Sequence, residues 1–161
     1  MKKVIDKLPE IKIRHVGTLE LDEFYRWMKR WLKFKGWWKG ETNEMLYDEK
    51  INPNDSKNIT IRWEVTKKQT PFLFGRINIL YMLIGISRKK VNIDGHEIKL
   101  YDGDFEIRIN TTVERTDDEG NIRKIFEETI NKEGTQLYID DIFDDASDLV
   151  NEIKAVFNQY A

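Results

Sequence analysis

The chain has 161 residues, of which 40% are hydrophobic and 12% aromatic, and its formal net charge is −2. This length allows one sizeable hydrophobic core, so we predict a single domain over residues 1–161. Cysteine is absent, which excludes disulfides, thiolate nucleophiles and cysteine-ligated zinc, and the slightly negative charge argues against a general polyanion-binding protein.

The residue pattern in the first half of the chain predicts a strand, then a helix, then a second strand. Hydrophobic and polar residues alternate over 10–17 and again over 59–66, as in strands with one buried face. Between them, Asp22 suits a helix N-cap and Gly36 suits a helix stop in the left-handed conformation, which predicts a helix over about 22–35.

The middle of the chain predicts a buried strand followed by a hairpin. Residues 72–87 are apolar on both faces, as in a central strand. Asp94-Gly95 predicts a two-residue hairpin turn, because both central positions of such a turn need positive φ. We expect a second turn at 102–104 and then a half-buried strand over 105–114.

The last part of the chain predicts helices. Ile122, Phe126 and Ile130 have helical spacing before a possible stop at Gly134. A clearer amphipathic helix is predicted over about 139–159. The predicted fold is α+β: an antiparallel sheet of four to five strands, with an N-terminal and a C-terminal amphipathic helix packed on one face.

Three segments together resemble a group of small uncharacterised archaeal proteins. They are HVGTLELDEFYRWMKRWLKFKGW, ITIRWEV and KKVNIDGHEIKLYDGDFEIRI. The group has a leading strand, a Leu-Asp-x-Leu/Phe-Tyr helix start, a Trp-containing strand and a hairpin with Asp-Gly. The resemblance covers about residues 10–115. It implies a related fold and an archaeal source, and it brings no activity.

Residues 26–40, RWMKRWLKFKGWWKG, contain four of the five tryptophans, six basic residues and no acidic one. Trp27, Trp31 and Phe34 share a helix face with Phe24 and Met28, so we predict that they are buried. Trp37 and Trp38 follow the helix stop, and we expect one of the two to be exposed. The candidate interaction surface comprises Arg26, Lys29, Arg30, Lys33, Lys35, Trp37, Trp38 and Lys39.

The charges are distributed unevenly. Residues 1–40 carry 11 basic and 5 acidic side chains, whereas residues 117–161 carry 4 basic and 12 acidic ones. A helix start stabilised by its dipole explains the C-terminal aspartates, and an acidic docking surface is the alternative. That candidate surface comprises Asp140, Asp141, Asp144, Asp145 and Asp148.

No motif for catalysis or cofactor binding is recognisable. His15 and His96 have no soft ligand at metal-binding spacing, and the three serines lie in no nucleophile context. Asp94, Asp102 and Asp104 could bind a hard cation only if their two turns lie side by side, so turn chemistry is the preferred interpretation. We therefore predict no cofactor and no metal.

These patterns favour a non-enzymatic interaction or scaffold domain with a basic N-terminal and an acidic C-terminal surface. Its expected partner is another protein or a second copy of the chain. Binding of nucleic acid or of an anionic membrane surface through residues 26–40 is the alternative. A second alternative is a ligand-binding or hydrolytic cavity between the sheet and the C-terminal helix, for which Arg62, Glu64 and Arg108 are the polar strand residues to inspect.

The sequence also bears on location. The longest apolar run, residues 77–86, has ten residues, which is too short to cross a bilayer core of about 30 Å as a helix. No export signal is recognisable, since acidic residues interrupt the first fifteen positions. We therefore expect a cytoplasmic protein without a transmembrane segment.

Overall fold

A computed structural model describes residues 2–116 and 132–161. Within these residues the fold is α+β, as predicted, with a six-stranded antiparallel sheet and two long helices. In chain order the elements are β1 (Lys2–Lys7), β2 (Ile11–Leu19), α1 (Leu21–Phe34), β3 (Glu44–Ile51), β4 (Lys57–Lys68), β5 (Leu73–Ile93), β6 (His96–Thr116) and α2 (Lys132–Gln159). A short 3₁₀ turn, Glu41–Asn43, precedes β3.

The strands lie in the order β1-β6-β5-β4-β3, and β2 pairs with β6 on the same edge as β1. The predicted count of four to five strands was wrong, because β1 and β3 were missed. All six residues of β1 are exposed, and so are seven of the eight in β3. An edge strand with so little burial has no alternating hydrophobic pattern to reveal it.

β5 and β6 form one hairpin of two 21-residue strands. The predicted turn at Asp94-Gly95 is confirmed, with φ angles of 51° and 80°. The predicted turn at 102–104 was wrong, because β6 continues through it. The irregularity lies instead on the opposite strand, where the register shifts between Ile84 and Ser87. Gly103 faces this bulge, and a Cβ there would lie 3.1 Å from the carbonyl oxygen of Ile84.

One face of the sheet carries the core. Alternate residues of β4, β5 and β6 point to this face, where α1 and α2 cover them. Contacts between rings join the layers: the centroid of Phe24 on α1 lies 6.3 Å from that of Tyr81 on β5 and 5.3 Å from that of Phe157 on α2. The largest fully buried side chains are Trp37, Trp63, Tyr81 and Phe105.

Helix α1 agrees with the prediction to within one residue at each end. Its N-cap is Glu20 rather than Asp22, and no side chain caps it. Gly36 has the expected left-handed conformation, with φ of 86°. The predicted burial of Phe34 was wrong, since this side chain is 85% exposed. It lies in the last turn of α1, where the chain bends and Trp37 enters the core instead.

The expectation that Trp37 or Trp38 is exposed was wrong. Trp37 is fully buried, and its amide donates to the carbonyl of Leu32 at 2.8 Å, so the left-handed Gly36 turns the chain back onto the core. Trp38 is half-buried and packs edge-on against Trp63, with centroids 4.9 Å apart.

Helix α2 is longer than predicted. The predicted helix from Ile122 lies mostly outside the described residues, and its stop at Gly134 was wrong because α2 (Lys132–Gln159) runs through that position. Asp140, Asp141 and Asp144 therefore lie at least two turns inside α2. Stabilisation by the dipole of a helix start does not explain them, since that effect is confined to the first turn.

We expect Gly75→Ala to be destabilising. A Cβ at Gly75 would lie 2.6 Å from Cη2 of Trp37 and 2.7 Å from Cγ2 of Ile142, both in the core. Overpacking of this kind costs about 1–3 kcal/mol. Urea unfolding measures it, with Asn78→Ala on the other face of the same strand as the control. An unchanged midpoint for Gly75→Ala would show that Trp37 does not pack against β5.

The two adjacent tryptophans should differ in their effect on stability. Trp37→Ala removes a fully buried ring and its hydrogen bond to Asp145, and should lower the free energy of unfolding by about 3–5 kcal/mol. Trp38→Ala removes a half-buried ring and should cost about 1–2 kcal/mol, since part of its surface already contacts water. Equal losses in chemical denaturation would contradict this placement.

Candidate functional site

Helices α1 and α2 lie antiparallel on the sheet, and we call them together the helix layer. At one end, Nε1 of Trp37, just beyond α1, donates to Asp145 of α2 at 2.9 Å. At the other end, the hydroxyl of Tyr160, beyond α2, donates to Glu20, which precedes α1, at 3.3 Å. The outer surface of this layer presents both of the charged regions expected from the sequence.

The basic stripe consists of Arg26, Arg30 and Lys33, which are exposed and lie on the face of α1 opposite its buried residues. Arg30 and Arg26 both pair with Glu23, with Nη2 at 2.6 Å and 3.3 Å from its carboxylate oxygens. The hydrogen bond from Arg30 is the largest cause that holds the pKa of Glu23 below its ordinary value; burial opposes it, and the charges of both arginines add to it. Lys33 forms no ion pair with another described residue.

The other basic residues of 26–40 contact their own chain. Nζ of Lys29 lies 4.3 Å from the ring centroid of Tyr25 and 3.7 Å from the carboxylate of Glu41. Lys35 lies over the ring of Trp31, with Nζ 5.7 Å from its centroid. Lys39 donates to the carbonyl of Gly36. These three lysines are therefore less available to a partner than the basic stripe.

None of the five indole rings is fully exposed. Trp37 and Trp63 are buried, while Trp27, Trp31 and Trp38 are half-buried and pack against the core. Trp37 was wrongly assigned to the interaction surface, because its ring cannot reach a partner. Burial of these rings agrees with the predicted core role of residues 26–40.

The acidic stripe consists of Asp141, Asp144 and Asp148, which are exposed on the outer face of α2. Asp140 is also exposed and accepts a hydrogen bond from Gln136 at 2.9 Å. Asp145 was wrongly assigned to the docking surface, since its carboxylate binds Trp37 and lies 3.1 Å from Nζ of Lys67. No ion pair joins the acidic stripe to the basic stripe among the described residues.

The residues suggested for a cavity under α2 lie on the opposite, uncovered face of the sheet. There Arg76 binds Glu64 and Glu114, and Arg108 lies 2.9 Å from Glu106. Arg62 is exposed on the same face. Arg62, Glu64 and Arg108 therefore do not line a cavity between the sheet and α2, where the side chains of both layers are tightly buried.

A groove lies instead beside α1, between its first two turns and strands β3 and β4. It consists of two adjoining cavities of about 270 Å³ and 330 Å³ that share Leu21, Asp22, Tyr47 and Ile59. We call it the α1 groove. Glu44 on its wall accepts hydrogen bonds from the hydroxyl of Tyr25 and from Nε1 of Trp63. Burial, followed by this bond to Glu44, raises the pKa of Tyr25.

Tyr81 lies behind this wall and is fully buried. Its hydroxyl has no hydrogen-bond partner among the described residues. Burial raises the pKa of Tyr81 well above its ordinary value, and the nearby Tyr25 and Glu44 add to the effect. No feature of the sequence pointed to this groove, since its residues come from five separate segments.

The aspartates considered for a cation do not converge. Asp94 lies at the tip of the hairpin, Asp102 accepts from the hydroxyl of Thr18, and Asp104 binds Arg14, whose Nε lies 2.9 Å away. Within the described residues, no three carboxylate or histidine side chains are placed to share a metal ion. His15 is buried, with Nε2 2.8 Å from the carbonyl oxygen of Thr18, and it packs against Phe105 and Phe157.

Within residues 2–116 and 132–161, no helix combines the length and hydrophobicity needed to cross a bilayer. No protein-family model, curated protein or solved structure matches this chain.

Proposed function

We propose that this protein is a non-enzymatic interaction domain that associates with a second copy of itself through the helix layer. The observation that carries the proposal is the pair of opposite, exposed charge stripes on adjacent antiparallel helices. Arg26, Arg30 and Lys33 stand on α1, and Asp141, Asp144 and Asp148 on α2.

Two-fold symmetry favours a second copy of the chain as the partner. A two-fold axis parallel to the helices and above the seam between them places α1 of each copy over α2 of the other. Phe24 is level with Phe157 and Glu20 with Tyr160, so Lys33 at the end of the basic stripe then faces Asp148 of the acidic stripe, twice in one interface, as isologous contacts require. A two-fold axis perpendicular to the helices would place like charges together, so the charge pattern selects one of the two arrangements.

The exposed apolar side chains support the same surface. Phe34, 85% exposed, lies in the last turn of α1, and Leu137, 66% exposed, lies on the outer face of α2. Phe34 is at the end of the helix layer where Trp37 contacts Asp145, and Leu137 lies about 12 Å farther towards the start of α2. Removing such side chains from water contributes about 25 cal/mol per Å². Helix α1, with 14 residues, is about 21 Å long, so the interface is small and we expect weak association that depends on salt.

The burial of the tryptophans weighs against the nucleic-acid and membrane alternatives. Base stacking and insertion at a lipid headgroup both need free aromatic faces. Trp37 is fully buried, and the rings of Trp31 and Trp38 already contact Lys35 and Lys29 respectively.

A charge swap tests the interface. Lys33→Glu or Asp148→Lys alone should weaken self-association about threefold to tenfold, because each places like charges opposite one another twice per dimer. The double variant should restore association. Sedimentation velocity over a range of protein concentration, at low and at high salt, measures both effects.

Lys89→Glu is the matched control, since Lys89 is exposed on the β5–β6 hairpin away from the helix layer. A wild-type chain that stays monomeric at millimolar concentration in low salt would refute the proposal. Equal weakening by Lys89→Glu would show that net charge alone is responsible.

Phe34→Ser should separate association from folding. Because Phe34 is 85% exposed, its replacement should change the free energy of unfolding by no more than about 0.5 kcal/mol. It should nevertheless weaken self-association, since the ring would be buried in the dimer. Thermal unfolding under dilute, monomeric conditions and sedimentation at high concentration give the two readouts, and unchanged sedimentation would remove Phe34 from the interface.

A further inference from the structure

The α1 groove has the shape and lining of a small-molecule site. Its two cavities, about 270 Å³ and 330 Å³, approach the usual range for ligand pockets. Apolar side chains of Ile59, Ile61 and Leu83 form the inner floor, and Tyr25 and Tyr47 stand beside them. A ligand with a short apolar stem would be enclosed there.

The charges around the groove are predominantly negative. Four carboxylates line it, those of Asp22, Glu44, Glu49 and Asp55, against the two cations Lys57 and Arg88. Lys57 pairs with Glu49 at 3.0 Å, which neutralises one carboxylate. The remaining three carboxylates face one arginine. The potential in the groove therefore favours a cation over an anion.

Two of these carboxylates retain capacity to accept hydrogen bonds. One oxygen of Glu44 accepts both of its bonds, from Tyr25 and Trp63, so its second oxygen bonds no described residue. Asp22 is exposed and receives only a long bond, 3.5 Å, from the hydroxyl of Tyr101. Both carboxylates line the inner cavity, where the apolar floor is also found.

The buried hydroxyl of Tyr81 adjoins the α1 groove without lining either of its cavities. It lies behind the Tyr25–Glu44 pair and lacks a partner among the described residues. A buried polar group without a partner is uncommon and costs about 1–3 kcal/mol. The wall behind Glu44 therefore contains a polar group that the described residues leave unsatisfied.

The aromatic rings add a preference for an ammonium group. Tyr25 already accepts one cation, with Nζ of Lys29 4.3 Å from its centroid, and Glu41 balances that charge. Lys29 does not line the groove. Tyr47 is exposed and lines both cavities, and no cation of the described residues lies over its ring.

We propose that the α1 groove binds a small aliphatic amine in its ammonium form. Asp22 and Glu44 would receive the cation, and Ile59, Ile61 and Leu83 would enclose the stem. Such amines are protonated at neutral pH, since their pKa is about 10.4. This site is separate from the outer face of the helix layer, so the proposal does not depend on self-association.

Titration of the ¹⁵N-labelled chain with 1,5-diaminopentane tests it. Saturable shifts of the amide signals of Leu21, Tyr47 and Leu83 are expected. The neutral analogue 1,5-pentanediol, at matched ionic strength, should produce none. Shifts that do not saturate, or equal shifts with the diol, would overturn the proposal.

Two variants of equal charge complete the test. Asp22→Asn should raise the dissociation constant for the diamine about fivefold or more, since it removes one carboxylate that receives the cation. Asp48→Asn removes the same charge from β3 on the other face of the sheet and should change it less than twofold. Because both aspartates are exposed, both variants should fold, which the amide spectra verify. Equal effects of the two variants would show nonspecific attraction and refute the site.

Discussion

The architecture depends on the burial of Trp37 between the two layers. Its ring packs over Gly75 of β5, where any side chain would exclude it, and its N–H binds Asp145 of α2. Lys67 of β4 pairs with the same carboxylate oxygen, at 3.1 Å. This one side chain thus connects the chain after α1, two central strands and α2. A carboxylate with only 16% of its side chain exposed is stable there because both of its partners are donors.

The position of Trp37 determines what the helix layer presents to solvent. With α1 and α2 held antiparallel, the apolar side of each helix faces the sheet, so the basic stripe and the acidic stripe both point outward. The uncovered sheet face differs, since its central charges are paired within the chain: Arg76 binds Glu64 and Glu114. The helix layer carries opposite charges on neighbouring helices, and Lys33, Asp141, Asp144 and Asp148 form no ion pair with another described residue, which is why we place self-association there.

The α1 groove results from a mismatch in width between the two layers. Two helices cover a sheet that extends through β4 to the edge strand β3, and the short side chain of Asp22 at the start of α1 does not fill the space above Ile59. Glu44 at the start of β3 closes one end of the groove by binding Tyr25 of α1 and Trp63 of β4. Polar and apolar groups consequently line the same cavity beside α1. Beneath α2 the side chains pack too tightly to leave room for such a cavity.

Local sequence patterns by themselves determined the α+β class, the hairpin turn at Asp94-Gly95, the extent of α1 and the presence of the central strands. Each of these follows from the spacing of hydrophobic residues or from the φ that a residue tolerates. These patterns did not determine the strands β1 and β3, because their exposed residues do not alternate between hydrophobic and polar. They also did not determine that β6 is continuous, because its residues 102–104 are turn-forming and lie opposite a bulge in β5. The composition of the sequence identified the two charged regions and most of the residues in the basic and acidic stripes. Only the tertiary structure decided that Trp37 binds Asp145 in the core and that Phe34 is exposed. It also decided that Asp22 and Glu44 line one groove. These outcomes depend on which side chains, distant in the sequence, compete for the same volume.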